Sequence, residues 1–510
     1  MAAETSERSG TSRRRFLEIS TAGFAVLARS GGAEASPASA VQPPTTVALQ
    51  DLPDFTIAEA ARRISTRQLS PVQLTEALLT RIAALDAKVG AFITVAADQA
   101  REAARTAERE IQRGRYRGPL HGIPFAVKDT HYTKGIRTTA ASPVLENFVP
   151  EFDAAVVERL KSAGAILIGK LNLPEFSFGG YTPGCRNPWD LTRNTGGSSG
   201  GSGAALAARF IPAATGGDTS GSIRNPASAC GIVGLKPTFG LVSRYGVIPI
   251  SWSLDHLGPM ARTVEDTAIL LNAMAGHDPR DRSSARVTIP DYRQGLRRSI
   301  RGLRLGVIAP EEISGFHRDT RTAFAEAVRV FEELGASIRE VRFPDRMKLA
   351  GGCQRIIRIC EAAAYHRQFL TTVADKYISD VGRSGPEVSR VRTTVEAGSL
   401  VTAAHYVQAQ RVRTLFIEDK QKVYEPLDAL LSPTMPAPAE VAVNPPETFR
   451  NWWNVSGFPA LSVPCGFSVD PFGLPIGLQI SAAPFQDALV LALGHAYQSA
   501  TKWHTQWPTL

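Results

Sequence analysis

Residues 195–237, TGGSSGGSGAALAARFIPAATGGDTSGSIRNPASACGIVGLKP, constrain this chain more than any other stretch. Two Gly/Ser-rich loops, residues 196–203 and 216–222, bracket an Ala-rich segment, residues 204–209. Gly/Ser composition ordinarily gives a flexible linker. Here the flanks are apolar and the intervening segment is a good helix former, so both loops are expected to fold against a core. Glycine then has another use, which is to allow unusual backbone angles and close approach to a neighbouring group. Several hydroxyls set among those glycines point to exposed nucleophiles beside free backbone N–H donors.

Three chemistries compete for the stretch. A phosphate-binding loop needs a Gly-Lys-Ser/Thr ending or a Gly-x-Gly-x-x-Gly spacing, and neither occurs. A nucleophile elbow, Gly-x-Ser-x-Gly, is matched by residues 197–201 with Ser199 at its centre. In so Gly-rich a segment that match carries little weight, and it also requires a preceding strand and a histidine partner. The third chemistry is a serine served by a lysine base. Residues 122–129, GIPFAVKD, offer that lysine as Lys128 at the end of a short apolar run. A buried ammonium must be paired or neutralised. Taken alone, Lys128 is more simply a snorkelling side chain or a pair with Asp129.

Together these segments resemble the amidase signature family of serine amidohydrolases. That family carries a GGSSGGS loop, a D-T-x-G-S-I-R loop and G-x-x-G-L-K-P, found here at residues 196–202, 218–224 and 231–237. Its G-[IV]-P-x-x-[IV]-K-D segment is found at residues 122–129. Ser198 and Ser222 stand 24 residues apart, which fits the family spacing. The likeness runs from about residue 71 to about residue 275 and resumes from about residue 428 to the C-terminus.

The resemblance implies an α/β fold, a large mixed β-sheet surrounded by α-helices. Residues 54–510 are read as a single domain, with 54–115 as an N-terminal helical layer from its capping and periodicity signals and 281–446, by the resemblance, as a variable, substrate-side region. The resemblance implies that Ser222 attacks an amide carbonyl, that Ser198 relays the proton to neutral Lys128, and that the Gly197–Ser198 peptide is cis. The backbone N–H groups of Thr219, Ser220, Gly221 and Ser222 are expected to cradle the oxyanion, with Ser199, Asp218 and Arg224 supporting. Neither a metal nor an organic cofactor is required. A serine hydroxyl needs a base, and a lysine serves only when burial lowers its pKa. One departure stands out: Ser220 lies where the family most often has glycine. Its Cβ is expected to narrow the oxyanion pocket or to force a different backbone conformation.

The implied activity is hydrolysis of a carboxylic amide to carboxylate and ammonia or amine through a seryl acyl-enzyme. Tyr365, Ile356, Phe369, Trp452, Trp453 and Phe458 are expected to wall the pocket, which favours a neutral aryl or alkyl amide. Arg355 and Arg358 are assigned to a solvated face. Two rivals remain: an esterase using Ser199 with His256 or His366, and a partner-dependent chain like the glutaminase subunit of tRNA amidotransferases in the same family.

Composition bounds the rest. With 510 residues, 43% hydrophobic and 21% charged, the chain is ordinary globular material. Residues 12–17, SRRRFL, match a twin-arginine signal, followed by a short apolar stretch at 22–28 and a cleavage candidate at 33–35. Residues 1–35 are therefore read as a signal, 36–53 as a spacer, and the protein as exported, periplasmic or extracellular, with the twin-arginine machinery as a partner. Residues 1–35 hold five arginines and four glutamates, so removing them leaves +8 of the net charge of +9. The one dense basic patch, Arg293, Arg297, Arg298, Arg301 and Arg304, lacks interleaved aromatics and reads as a solvated face, so no nucleic-acid partner is expected. No run is long and apolar enough for stable membrane insertion. Five scattered cysteines, Cys185, Cys230, Cys353, Cys360 and Cys465, imply no disulfide framework or zinc site. A homodimer stays open.

Thr56-x-x-Glu59 and Ser70-Pro71-x-Gln73 predict capping boxes, the second opening a helix with Leu74, Leu78, Ile82 and Leu85 on one face. A further helix is expected over residues 96–112, a helix over 264–274, and a β-α-β unit over 303–308, 320–334 and 337–341. Residues 347–422 read as mostly helical, 428–431 as a short buried strand, and 485–500 as a closing helix.

Overall fold

Strands β2 (Pro124–Lys128) and β3 (Ile166–Leu171) follow β1 (Phe92–Val95) and are buried along their whole length. Such strands read as continuous runs because both faces are covered. They pair in parallel, with Pro124 beside Ile166 and Lys128 beside Leu171. The structure, a computed structural model, describes residues 55–378, 390–440, 451–470 and 472–510.

The remaining strands are β4 (Arg186–Asn187), β5 (Asp190–Asn194), β6 (Ala213–Asp218), β7 (Val233–Lys236), β8 (His256–Ala261), β9 (Arg304–Ile308), β10 (Ser337–Val341), β11 (Ala429–Pro433), β12 (Ala460–Phe467) and β13 (Pro475–Ser481). Apart from the β4–β5 hairpin they form one 11-stranded sheet, ordered β1-β3-β2-β6-β8-β7-β12-β13-β11-β9-β10. The sheet is mixed: β3, β2 and β6 run parallel, the middle from β6 to β11 is antiparallel, and β11, β9 and β10 are parallel again. The large mixed sheet wrapped by helices is therefore observed, with 14 α-helices among the described residues.

The N-terminal part holds α1 (Ile57–Ser65), α2 (Pro71–Val89) and α3 (Ala97–Gln112). Ser70 forms a complete capping box with Gln73. Thr56 caps only one way, because the Glu59 carboxylate turns to Arg62 and Arg63 instead. The helical layer is interrupted by β1, a four-residue Phe-Ile-Thr-Val strand that pairs antiparallel to β3 at the sheet edge.

Helix α4 (Ala155–Ser162) precedes β3, and α5 (Gly200–Ala207) and α6 (Arg224–Cys230) carry the two serine loops on to the sheet. Every residue of α5 is buried. A Cβ at Gly200 would lie 2.2 Å from Thr182 Oγ1, and one at Gly201 would lie 2.4 Å from Asn172 N. The glycines are thus close-packing residues, because any side chain there would displace neighbouring atoms.

Helices α7 (Val264–Met274), α8 (Tyr292–Gly295) and α9 (Arg318–Glu333) follow, and β9-α9-β10 is the expected β-α-β unit. Next come α10 (Ala350–Thr372), α11 (Arg390–Leu400) and α12 (Ala403–Tyr424), then α13 (Trp452–Ser456) and α14 (Asp487–Ala500). A second apolar cluster, including Phe176, Phe178, Ile248, Ile250, Ala362 and Val395, joins α10 and α11 to loops beside the serine segment. Among the described residues no helix is long and apolar enough to cross a membrane. Arg293 and Arg304 of the basic patch pair with Glu265 and Asp428, and all five cysteines are free thiols.

Candidate active site

Lys128 ends β2 at the point where the sheet meets α5. It is 1% exposed, and its Nζ donates to Ser198 Oγ at 2.6 Å. Burial drives its pKa from an ordinary 10.5 down to about 7, and the charges of Asp255 and Asp218 only partly offset that fall. Ser198 is fully buried, and the Gly197–Ser198 peptide is cis.

The second loop runs from the end of β6 into α6. Ser222 lies on it, and its carbonyl accepts from Ser199 N at 3.2 Å, which ties the two serine loops together. The Ser222 hydroxyl makes no hydrogen bond among the described residues, to Ser198 or to any other group. The structure thus joins Lys128 to Ser198 directly and holds Ser222 on the adjoining loop.

Asp218 organises that loop. Its carboxylate accepts from Gly221 N at 2.6 Å, Ile223 N at 3.1 Å, Arg224 Nε at 3.0 Å and Asn454 Nδ2 at 2.9 Å. Burial alone would raise its pKa, but the charge and hydrogen bonds of Arg224, with Lys236 and Asn454, hold it well below the carboxylate range. Arg224 also donates to Gln479 Oε1 at 2.6 Å and Asn454 Oδ1 at 2.8 Å. These contacts knit the loop together through Asp218 and Arg224.

The expected set of four N–H donors needs one correction. Gly221 N is engaged by Asp218, at a φ of 109° that suits glycine. The N–H groups of Thr219, Ser220 and Ser222 make no hydrogen bond among the described residues. Ser220 does not take a positive φ, so its Cβ imposes no left-handed strain. Ser199 Oγ bonds both the carbonyl and the N–H of Gly217, at 3.4 and 3.3 Å.

The same contacts exclude a serine–histidine pair among the described residues. His256 Nδ1 donates to Leu254 O at 2.7 Å, and burial pushes the ring far below its ordinary pKa. His366 Nδ1 bonds Tyr377 Oη at 2.7 Å, within the second apolar cluster. Ser199 meets neither.

A cavity of about 760 Å³ opens against Lys128, Gly217, Asp218 and Thr219. The expected apolar wall is mostly misplaced. Trp452, Trp453 and Phe458 are buried in the main core, Ile356 packs against that core, and Phe369 packs in the second cluster. Only Tyr365 of those six lines the cavity, and neither Arg355 nor Arg358 does. The other aromatic walls are Tyr132, Phe152, Phe239, Tyr245 and Trp252, which stand on loops, with Trp252 47% exposed. Asp255, also unforeseen, lines the cavity and accepts from Thr219 Oγ1 at 2.6 Å. The turn-rich run at residues 239–257, with its interleaved aromatics, was the available signal. No three His, Cys, Asp or Glu side chains gather as a metal site among the described residues.

Comparison with known proteins agrees with this geometry. The amidase family matches residues 73–491. The chain belongs to the amidase signature family. As a member it is an enzyme acting on amides. A glutamyl-tRNA(Gln) amidotransferase subunit from Desulfatibacillum aliphaticivorans is 41% identical over 489 residues, covering 90% of this chain and 100% of the relative. Among solved structures, the native peptide amidase from Stenotrophomonas maltophilia is 31% identical with a TM-score of 0.79, covering 88% of this chain and 97% of that one. The corresponding glutamyl-tRNA(Gln) amidotransferase subunit from Thermotoga maritima is 34% identical with a TM-score of 0.72, covering 88% and 95%.

These relatives correct the location read from residues 12–17. Relatives named as a subunit of a glutamyl-tRNA(Gln) amidotransferase point away from a periplasmic or extracellular protein. Three arginines before a seven-residue apolar stretch are a cheap pattern, and residues 1–54 lie outside the described residues.

Proposed function

We propose that this chain cleaves a carboxylic amide through an acyl-enzyme on Ser222. The observation that carries the reading is the 2.6 Å contact between Lys128 Nζ and Ser198 Oγ, with Lys128 buried and its pKa near 7. At neutral pH a substantial fraction of such a lysine is the free amine, able to take a proton. The Ser222 oxygen attacks the amide carbon while its proton passes through the Ser198 hydroxyl to Lys128. The N–H groups of Thr219, Ser220 and Ser222 receive the developing oxyanion, each such donor being worth about 3 kcal/mol of barrier. The C–N bond breaks as the proton returns to the leaving nitrogen. Water then adds to the ester carbon, the Ser222 C–O bond breaks, and the carboxylic acid leaves.

The amide is taken to be a primary carboxamide, that of glutamine, with this chain as the ammonia-releasing subunit of a larger assembly. The names of relatives 41–43% identical over 88–91% of the chain support this over a free aryl or alkyl amide. One observation favours a second reading, in which the isolated chain hydrolyses a neutral aryl or alkyl amide: the cavity is large and aromatic-walled, with Trp252 exposed in it.

The test begins by labelling the purified chain with an alkyl fluorophosphonate. Label on Ser222, lost in Ser222→Ala, supports the nucleophile, whereas label on Ser199 refutes it. Ammonia release from L-glutamine and from phenylacetamide then separates the substrates. Phenylacetamide turnover without glutamine turnover selects the second reading. Glutamine turnover, or a labelled chain that hydrolyses neither amide alone, selects the partner-dependent one.

A further inference from the structure

Helix α10 reaches the Ser222 loop by two routes. In the first, Gln354, 2% exposed, donates from Nε2 to Ser220 Oγ at 2.6 Å. The second begins seven residues along the helix, about two turns on and near the same face. There Glu361 accepts from the Ser251 hydroxyl, from Ser253 N at 3.0 Å and from Ser253 Oγ at 2.7 Å. The segment so held carries Asp255, whose carboxylate accepts from Ile250 N at 2.9 Å, Ser251 N at 3.0 Å and Thr219 Oγ1 at 2.6 Å. Thr219 and Ser220, two of the three free N–H donors, are thus each traced back to α10.

Ser220 gives the direct route its meaning. A glycine there would leave the buried Gln354 amide without this acceptor, and a buried amide needs one. The hydroxyl instead fastens the loop to a helix outside the sheet, the helix whose Tyr365 further along lines the cavity. We infer that Gln354 is a positioning residue for amide cleavage, holding the N–H groups of Thr219, Ser220 and Ser222 on the oxyanion through its bond to Ser220. The inference rests on Ser222 being the nucleophile. Gln354 acts through the loop, so its loss falls on the transition state and leaves ground-state binding in place.

Phosphonylation of Ser222 by an alkyl fluorophosphonate reads this directly, because charge develops on the phosphoryl oxygen during attack. Gln354→Met keeps the volume and removes the donor. Its limiting rate should fall about tenfold, with the half-saturating probe concentration within about twofold of wild type. Ser220→Ala removes the acceptor at a half-buried position, so it carries the test even if the α10 variant does not fold. It should show the same fall. The double variant should be no slower than either single one, because both remove one bond. Wild-type rates in the single variants, losses that multiply in the double, or a change confined to half-saturation would each overturn the inference. A wild-type chain that takes no label on Ser222 would overturn the nucleophile reading, and this inference with it.

Discussion

Two buried lysines stand side by side at the end of the sheet, and their surroundings differ. Lys170 of β3 lies beside Val127, and Lys128 of β2 lies beside Leu171. Lys170 meets the Asp129 carboxylate at 2.9 Å, the His131 carbonyl at 2.8 Å and the Thr138 hydroxyl. Lys128 meets one hydroxyl, Ser198. Burial lowers the pKa of both. Taking an ion out of water costs several kcal/mol unless close partners offset it. On the Lys170 side a carboxylate in contact does so. On the Lys128 side Asp255 and Asp218 act without a hydrogen bond to the amine, and the proton is held loosely. What sets Lys128 apart from Lys170 is burial without a touching anion, beside a serine hydroxyl.

Replacing each lysine should separate the two regions most sharply. Lys128→Ala should lower amide cleavage and Ser222 labelling about 10⁴-fold, and Lys128→Arg should recover nothing because a guanidinium stays protonated. An active Lys128→Arg enzyme would erase the distinction. Lys170→Met should instead act on stability, by about 3–5 kcal/mol, since it strands the Asp129 carboxylate in the interior. A urea denaturation midpoint measures this, and adding Asp129→Asn should restore most of it. Equal midpoints for Lys170→Met and Lys128→Met would show that the two lysines are not different in kind.

The pH dependence sharpens the same contrast. With Lys128 neutral only above about 7, kcat/KM should fall about tenfold per pH unit below that value and level off above it. The sign for stability is the same. Between about 7 and 10.5 the unfolded lysine binds the proton that the folded one releases, so this group makes the fold more stable as pH rises through that window. Initial rates and denaturation midpoints between pH 5 and 9 check both slopes. A limb unchanged in Lys128→Ala would assign it to another group. The smallest effect belongs to the histidine beside the cavity: His256→Gln should cost less than about threefold, far short of the roughly 10²–10⁴ that a general base supplies.

What was legible follows from how local each signal is. The Lys128–Ser198 contact was readable because both residues sit in long ordered motifs, although each alone admitted other readings. The β9-α9-β10 unit was readable because its periodicity changes cleanly between elements. Trp453 and Phe458 were misread as cavity wall because aromatic composition does not say which side of an element faces the core. Trp453 turned inward, where its Nε1 donates to Tyr424 Oη at 3.3 Å. Tyr132, Phe152 and Trp252 were missed because loop aromatics carry no period. The engagement of Gly221 N by Asp218 depends on one side-chain orientation, which spacing cannot fix.

The fastening of Asp218 has a consequence for timing. Asn454 Nδ2 reaches the Asp218 carbonyl across 236 residues of sequence, and Gln479 reaches Arg224 across 255. A chain emerging from the ribosome presents Lys128, Ser198 and Ser222 long before either of those partners exists. At roughly 5–20 residues per second, roughly 10–50 s separate the synthesis of Ser222 from that of Gln479. Throughout that interval Ser222 is present while its loop lacks two of the contacts that fix it in the finished fold.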